Sequence, residues 1–240
     1  MVNKIKVIAF DADDTLWDCQ GHFEQVMQQL YDELQPWCSR EEAANALFAI
    51  ERKNMPLLGF GTKAFTLSLL ETALEASRHE IATDRLAHLL QLGYSLLRLP
   101  ATPLPGVVET LQAVADDPQT RHLRRVVFTK GELLDQQNKL RRSGLAHFFE
   151  HEEIVSDKGE DEFRQLCHTL GCQPEEMVMV GNSLKSDIAP ALAIGAWAIH
   201  VPFHITWELE HADHFSHDRM YSATHFSEIK DIIHRLTKNS

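Results

Sequence analysis

A short apolar run near the start of the chain, Val7–Phe10, stops abruptly on two acidic residues, Asp11 and Asp13. An apolar run of this length, without polar alternation, is typical of a strand that is buried on both faces of a sheet. The two carboxylates follow the carboxyl end of that strand, which is where open α/β sheets place their functional sites. A helix cap formed by Asp13 or Asp14 is the alternative interpretation of this acidic cluster.

The next part of the chain, from Gly21 to Arg98, follows a helical period and contains no strand-like run. Its apolar positions predict four amphipathic helices, of which the first ends at Pro36 and the second begins after Ser39 and ends at Asn54 or Pro56. Because this long helical segment lies between the first strand and any second strand, it predicts a separate domain. We expect a helical cap domain of residues 18–98 and a core of residues 1–17 and 99–240.

Beyond the proline-rich stretch Leu99–Gly106, strand-like and helix-like patterns alternate. The predicted strands are Arg125–Phe128, Glu153–Val155, Met177–Val180 and Trp197–Val201. We expect residues 203–221 to be irregular and residues 226–236 to form a closing helix. This β-α-β-α order predicts an α/β fold with a doubly wound, Rossmann-like parallel sheet as its core and a small all-helical second domain.

Polar residues follow the ends of four predicted strands, and in a parallel sheet these ends lie along one edge. They are Asp11 and Asp13, Thr129 and Lys130, Lys158, and Asn182 and Asp187. Together they supply a nucleophilic carboxylate, a second acid, a hydroxyl group, an ammonium group and a further carboxylate with an amide beside it. Such a set suits phosphoryl transfer, in which the protein mainly positions the phosphoryl group and neutralises its charge.

These residues also resemble the motifs of a known family. In chain order they are Asp-x-Asp-x-Thr at 11–15, Thr129 after a strand, Ser-Asp-Lys-Gly at 156–159 and Gly-Asn-Ser-x-x-x-Asp at 181–187. The set is similar to the four motifs of the haloacid dehalogenase-like hydrolase superfamily, whose members are mostly phosphatases. The resemblance covers nearly the whole chain, and the helical segment looks like the cap that this superfamily inserts after its first motif.

The resemblance implies a role for each matching residue. Asp11 would attack phosphorus to give an aspartyl-phosphate, and Asp13 would protonate the leaving oxygen and then deprotonate the hydrolytic water. Thr129 would hydrogen-bond the phosphoryl oxygens, and Lys158 would hold both the nucleophile and the phosphate. The substrate-binding residues are then expected to be Thr129, Lys130, Gly131 and Lys158.

The same resemblance implies Mg²⁺ as the cofactor, with ligands from Asp11, the main-chain carbonyl of Asp13, and Asn182 or Asp187. The family's fourth motif commonly begins Gly-Asp, whereas this chain has Gly181-Asn182. An amide oxygen adds no negative charge, so the sequence leaves open whether Asn182 or Asp187 is the direct third ligand. The presence of Asp13 points to phosphatase chemistry, because the dehalogenase branch of the family lacks that acid.

Charge and composition narrow the range of partners. The formal net charge of −12 disfavours nucleic acid or an anionic membrane as a partner, and the expected partner is a small phosphorylated substrate. There is no apolar leader or membrane-spanning run, and the four cysteines lack metal or disulfide spacing, so we expect a cytoplasmic protein with reduced thiols.

Several points stay open at the level of sequence. The helical segment carries no motif that identifies a substrate. The alternatives to a phosphatase are a phosphomutase of the same superfamily and a non-catalytic phosphate-binding regulatory protein. The sequence also does not distinguish a monomer from a homodimer. Three aromatic residues are expected to pack rather than to line a pocket, namely Trp17, Phe60 and Trp207. The side chain of Lys130 is expected to be exposed.

Overall fold

The computed structural model describes residues 4–205, 207–210, 212–213 and 215–238. Two predictions include residues outside this description. Residues 1–3 and 239–240 belong to the predicted core domain, and residues 206, 211 and 214 belong to the segment expected to be irregular. Within the described residues no helix is both long enough and apolar enough to cross a bilayer.

The centre of the fold is a sheet of six parallel strands in the order β3-β2-β1-β4-β5-β6. The strands are β1 Val7–Phe10, β2 Arg124–Lys130, β3 His151–Val155, β4 Met177–Gly181, β5 Trp197–His200 and β6 Met220–Ser222. The strand order reverses at β1, which pairs with β2 on one side and β4 on the other. The crevice of a doubly wound sheet forms at this point.

Nine α-helices accompany the sheet in the described residues. They are α1 Gln20–Leu34, α2 Arg40–Leu58, α3 Thr62–Ala76, α4 Thr83–Leu96, α5 Val107–Asp116, α6 Leu133–Arg142, α7 Glu160–Leu170, α8 Ala189–Ala193 and α9 Ile229–Lys238. The side chains of β1 alternate between two apolar clusters, Ile8 and Phe10 facing α5 and α9, and Val7 and Ala9 facing α7. Helices therefore cover both faces of the sheet, and the prediction of a doubly wound α/β fold is confirmed.

Helices α1 to α4 pack around an apolar cluster of their own, in which Leu30, Leu47, Leu69 and Leu89 are at most 1% exposed. Helix α2 begins with a capping box, since the Ser39 hydroxyl accepts from the Glu42 N–H while the Glu42 carboxylate accepts from the Ser39 N–H. The division of the chain into a core and a cap at residues 18 and 98 stays a prediction.

Several predicted boundaries were wrong. Helix α2 continues through Pro56 to Leu58, because a proline in the last turn removes only one hydrogen bond of the helix. Met220 and Tyr221, expected to be irregular, belong to the edge strand β6, whose three residues are too few to give an apolar run. Thr129 and Lys130 lie inside β2 rather than beyond it. The fourth motif forms one π-helical turn, Leu184–Ile188, before α8 begins.

Candidate active site

The carboxyl edge of the sheet and helices α1 to α3 enclose a cavity of about 170 Å³. Its walls include every residue that the sequence placed at the four strand ends. These are Asp11, Asp13, Thr129, Lys130, Gly131, Lys158, Asn182 and Asp187. The structure thus brings together residues from four separate parts of the chain, as the parallel arrangement of the strands predicted.

Asp11 lies at the base of this cavity and is buried. The ammonium nitrogen of Lys158 lies 2.6 Å from Asp11 Oδ1 and also 2.6 Å from Asp187 Oδ1. The hydroxyl of Thr15 lies 3.0 Å from Asp11 Oδ2. Both oxygens of the Asp11 carboxylate are therefore held in position, and Lys158 joins the first and fourth motifs through one buried cation.

The charges around Asp11 are not balanced by the protein alone. Burial raises the pKa of Asp11, and the charge of Asp187 raises it further; the nearby Lys158 ammonium opposes both, and the result is a pKa of about 7. Burial by itself would lower the pKa of Lys158, but the charges of Asp11 and Asp187 raise it above its usual value. Lys158 therefore stays protonated, while two adjacent carboxylates share it.

Three side chains hold Asp13 in position. The sequence analysis did not identify Lys139 or Gln136 as part of the site, and it assigned Trp17 to packing. Lys139 Nζ lies 2.9 Å from Asp13 Oδ2, Gln136 Nε2 donates to the same oxygen at 2.7 Å, and the Trp17 indole donates to Oδ1 at 2.7 Å. Burial raises the pKa of Asp13, but the charge of Lys139 and these hydrogen bonds outweigh burial and leave the pKa below its usual value. Asp13 is therefore ionised in this arrangement.

The helix that follows Gly131 supplies two of these partners. Gln136, Lys139 and Leu140 are all buried on α6, at the spacing that places residues on one helix face. The sequence shows that these residues share one helix face, but only the structure shows that the two polar side chains are buried there. Lys139 also lies 3.5 Å from the buried carboxylate of Asp135, so it joins two acidic side chains.

The fourth motif approaches the first through close contacts. A Cβ atom added to Gly181 would lie 2.3 Å from Asp187 Oδ2, so only glycine fits there. Asp187 uses Oδ1 for Lys158 and Oδ2 for the N–H of Ser183, at 2.6 and 2.9 Å. Asn182 Oδ1 lies 3.1 Å from the same Thr15 hydroxyl that contacts Asp11 Oδ2. The amide oxygen of Asn182 and the carboxylate of Asp11 are therefore neighbours.

The available donors fit a hard cation such as Mg²⁺. Asp11 and Asn182 offer oxygen atoms side by side. Burial, and after it the charge of Asp187, raises the pKa of Asp11, and a bound cation would stabilise the ionised carboxylate. Within the described ranges, no three His, Cys, Asp or Glu side chains form a ready-made metal cluster. A cation here would therefore rely on an amide oxygen, a main-chain carbonyl and water as well as on Asp11.

The surroundings of the phosphate-binding candidates differ from one another. Thr129 is buried and lines the cavity. The N–H of Gly131 donates to the Val155 carbonyl at 2.9 Å, so Gly131 contributes space rather than a hydrogen-bond donor. In the part of the chain that the structure describes, the N–H groups of Ala12 and Asp13 donate to no protein acceptor. They are free to donate to an oxyanion above Asp11.

The prediction that the Lys130 side chain is exposed was wrong. Its ammonium group pairs with the Glu210 carboxylate, donates to the Ser186 hydroxyl at 2.8 Å and lies 3.9 Å from the centre of the Phe60 ring. Glu210 also accepts from the Ser183 and Ser186 hydroxyls, each at 2.6 Å. Glu210 lies outside the four motifs, so only the folded chain shows that it reaches the cavity.

Two of the three aromatic residues that were expected to pack line the cavity instead. Trp17 is 1% exposed and packs in the core as expected, apart from its hydrogen bond to Asp13. Phe60 and Trp207 line the cavity and contact each other edge to face, with ring centres 5.9 Å apart. The Trp207 indole lies near the carboxylate of Glu51, a buried residue of α2 that also lines the cavity. The second half of the cavity is therefore formed by the helical segment together with Ile205, Trp207 and Glu210.

Comparison with known proteins identifies the family. A family model described as haloacid dehalogenase-like hydrolase matches residues 5–195. This span includes all four motifs and most of the chain, so the protein belongs to the haloacid dehalogenase-like hydrolases. The resemblance inferred from the motifs is confirmed, and so is the prediction that the protein is an enzyme.

Relatives and solved structures agree with this assignment. Glyceraldehyde 3-phosphate phosphatase from Methanothermobacter thermautotrophicus is 28% identical over 84% of this chain and 88% of its own length. Human N-acylneuraminate-9-phosphatase is 22% identical over 81% of each chain. A haloacid dehalogenase-like family hydrolase from Xanthomonas campestris superposes with a TM-score of 0.88 at 29% identity, covering 98% of this chain and 93% of the other.

Proposed function

We propose that this hydrolase is a Mg²⁺-dependent phosphatase that cleaves a small phosphate monoester through an aspartyl-phosphate on Asp11. The observation that carries the proposal is the position of Asp11 at the base of the cavity, where Lys158 and Thr15 hold both of its oxygens. A nucleophile fixed in this way needs little further ordering to attack phosphorus. The relatives that are named phosphatases support the same reaction class.

In the first step a carboxylate oxygen of Asp11 forms a bond to phosphorus, and the bond from phosphorus to the leaving oxygen breaks. Lys158, the Thr129 hydroxyl and the free N–H groups of Ala12 and Asp13 would neutralise the charge on the phosphoryl oxygens. The leaving oxygen takes a proton from Asp13. Because the ion pair with Lys139 keeps Asp13 ionised, Asp13 must separate from Lys139 and bind a proton before this step.

In the second step water attacks phosphorus, the bond between Asp11 and phosphorus breaks, and inorganic phosphate leaves. Asp13, which is ionised after giving up its proton, takes a proton from the attacking water. The contacts seen with Lys139, Gln136 and Trp17 favour this ionised form. One carboxylate can thus serve both steps, provided that its contact with Lys139 is made and broken during the cycle.

The metal would be held by Asp11, the main-chain carbonyl of Asp13 and a ligand from the fourth motif. When bound, Mg²⁺ supplies positive charge that offsets the dianionic phosphate and the nearby carboxylates. Asn182 is the better candidate for the third ligand, because its amide oxygen and Asp11 Oδ2 contact the same Thr15 hydroxyl, whereas Asp187 contacts Lys158 and the Ser183 N–H. The role proposed for Asp187 is to fix Lys158.

We propose further that residues 18–98 form a cap that selects the substrate and excludes water from the cavity. Direct contacts between the two parts support this arrangement. The Thr62 hydroxyl of α3 donates to Asp135 of α6 at 3.0 Å, and Lys63 pairs with Glu132 beside it. These contacts lie next to the helix that carries Lys139, so cap movement would act close to Asp13.

The experiment is a phosphate-release assay over a panel of phosphorylated metabolites, with Mg²⁺ or with EDTA, using the wild type and Asp11→Asn. We expect release that depends on Mg²⁺ and falls by about three orders of magnitude or more in Asp11→Asn. Asp32→Asn, at an exposed position of α1, is the matched control. Turnover that persists in Asp11→Asn would contradict the mechanism, and isomerisation without phosphate release would indicate a phosphomutase.

A further inference from the structure

The half of the cavity away from the catalytic residues contains one buried acidic side chain that the proposed reaction does not use. Glu51 lies on α2, is 9% exposed, and faces the cavity between the helical segment and Trp207. In the described part of the chain, the Trp207 indole is the polar group that lies near its carboxylate and lowers its pKa. A carboxylate can accept about four hydrogen bonds, so capacity toward the cavity is left over.

The walls around Glu51 are mainly apolar. Phe23 and Phe65 contact each other edge to face at 4.9 Å, and Phe60 and Trp207 do so at 5.9 Å. All four side chains line the cavity. A buried carboxylate among aromatic rings is costly without a partner, because burial disfavours its charged form. Burial accordingly raises the pKa of Glu51 to about 7, even though the nearby Trp207 indole acts in the opposite direction.

The size of the cavity limits what can occupy it. A cavity of about 150 Å³ holds one benzene molecule, and the cavity here measures about 170 Å³. It must accept the phosphoryl group as well as the leaving group when the two parts are in this arrangement. A leaving group that lies wholly inside the cavity beside the phosphate is therefore compact, with only a few non-hydrogen atoms between the phosphate and the far wall.

The lysines of the cavity argue against an anionic leaving group. Lys158 is paired with Asp11 and Asp187, Lys139 with Asp13, and Lys130 with Glu210. Among the described residues of the cavity wall, no cation is left without an acidic partner. A carboxylate on the leaving group would then face Glu51 without compensation, and like charges at this depth repel strongly.

From these observations we infer that Glu51 is a specificity-determining residue that accepts a hydrogen bond from a hydroxyl or ammonium group on a compact leaving group. The inference rests on the proposed phosphatase function. The phosphate would lie against Asp11 at one end, the carbon chain against the aromatic walls, and the donor against Glu51 at the other end. Glu51 thus distinguishes alcohols and amines from purely apolar or acidic leaving groups.

The test uses four phosphate monoesters of nearly equal size: propyl phosphate, 2-hydroxyethyl phosphate, 2-aminoethyl phosphate and phosphoglycolate. For the wild type we expect kcat/KM to be about tenfold higher with either donor-bearing substrate than with propyl phosphate, and lowest with phosphoglycolate. A larger advantage for the amine would indicate charge pairing with the carboxylate. Equal advantages for the amine and the alcohol would indicate a hydrogen bond alone, and both results support the inference.

Two variants separate charge from hydrogen bonding. Glu51→Gln keeps an acceptor but removes the charge, so the advantage of the amine should fall to that of the alcohol. Glu51→Leu removes both, and neither donor-bearing substrate should keep an advantage above about threefold. Glu75→Gln, an exposed glutamate at the end of α3, is the matched control and should leave the ratios unchanged.

The possible failures can be told apart. Wild-type ratios near one, ratios unchanged in both Glu51 variants, or release from p-nitrophenyl phosphate but from none of the four esters would overturn the inference and leave the phosphatase proposal intact. If p-nitrophenyl phosphate, the four esters and every member of the phosphorylated-metabolite panel fail to release phosphate with Mg²⁺, the proposed function fails and the inference fails with it. The comparison within the wild type does not depend on whether a variant folds.

Discussion

The ammonium nitrogen of Lys139 lies 2.9 Å from Oδ2 of Asp13 while its side chain is only 3% exposed. Lys139 also approaches the buried Asp135 at 3.5 Å. A single buried cation thus stabilises the proposed acid and base together with a second carboxylate that contacts Thr62 of the helical segment. Lys139 is therefore a positioning residue, which acts on the reaction through Asp13.

Removing this cation should destabilise the protein and impair turnover. Lys139→Met leaves two carboxylates without their partner, and we expect the free energy of unfolding to fall by about 3 kcal/mol. Adding Asp135→Asn should recover part of that loss, because one of the two uncompensated charges is then gone. Urea denaturation measures both effects, with Lys4→Met at an exposed position as the control. Full stability in Lys139→Met would mean that the ion pair contributes little.

The identity of the third metal ligand can be tested by changing its charge. Asn182→Asp adds a carboxylate beside Asp11, and Mg²⁺ affinity should rise by about tenfold if Asn182 contacts the ion directly. Isothermal titration calorimetry with Mg²⁺ measures this affinity without relying on turnover. Asn45→Asp, on the exposed side of α2, is the control for added charge. An unchanged affinity in Asn182→Asp would place Asn182 away from the metal.

Glu210 offers a second test of how charge controls substrate choice. Glu210→Gln keeps the size of the side chain but leaves the Lys130 ammonium without its acidic partner. The freed positive charge should favour anionic leaving groups, and the ratio of kcat/KM for phosphoglycolate over 2-aminoethyl phosphate should rise by about tenfold. Glu208→Gln, at a neighbouring exposed position, should not change this ratio. A ratio that stays constant in Glu210→Gln would show that Lys130 does not reach the leaving group.

The raised pKa of Glu51 predicts a specific dependence of stability on pH. Its value is 4.5 for the free side chain and about 7 in the folded protein, so between these values only the folded state binds the proton. The stability contributed by that proton is complete below pH 4.5 and is lost as the pH rises through 7. The loss amounts to about 3 kcal/mol at most.

Glu51→Gln cannot bind this proton, so it should gain stability relative to the wild type as the pH rises. Urea denaturation of both proteins at about pH 5 and about pH 8.5 gives the difference, and effects of other titrating groups cancel in the comparison. Each kcal/mol corresponds to about 2–4 °C in Tm for a chain of this size, so thermal unfolding provides an independent check. A difference between the two proteins that does not vary with pH would contradict a raised pKa.

The sequence alone determined the order along the chain of the helices and of five of the six strands, and the four groups of polar residues at the strand ends. It could do so because these features follow from local patterns. A short, fully apolar run such as Val7–Phe10 is typical of a buried strand, and parallel strands place their carboxyl ends at one edge. The family resemblance added the chemistry because four motifs occurred in the expected order.

The tertiary structure decided everything that depends on contact between distant segments. Lys139 and Asp13 are 126 residues apart, and Glu210 and Lys130 are 80 apart, so no local period links them. The same holds for Glu51 and Trp207, which meet only because the helical segment and the segment after β5 face each other across the cavity. Packing across such distances decides which side chains become buried and charged partners, and local sequence patterns carry no record of it.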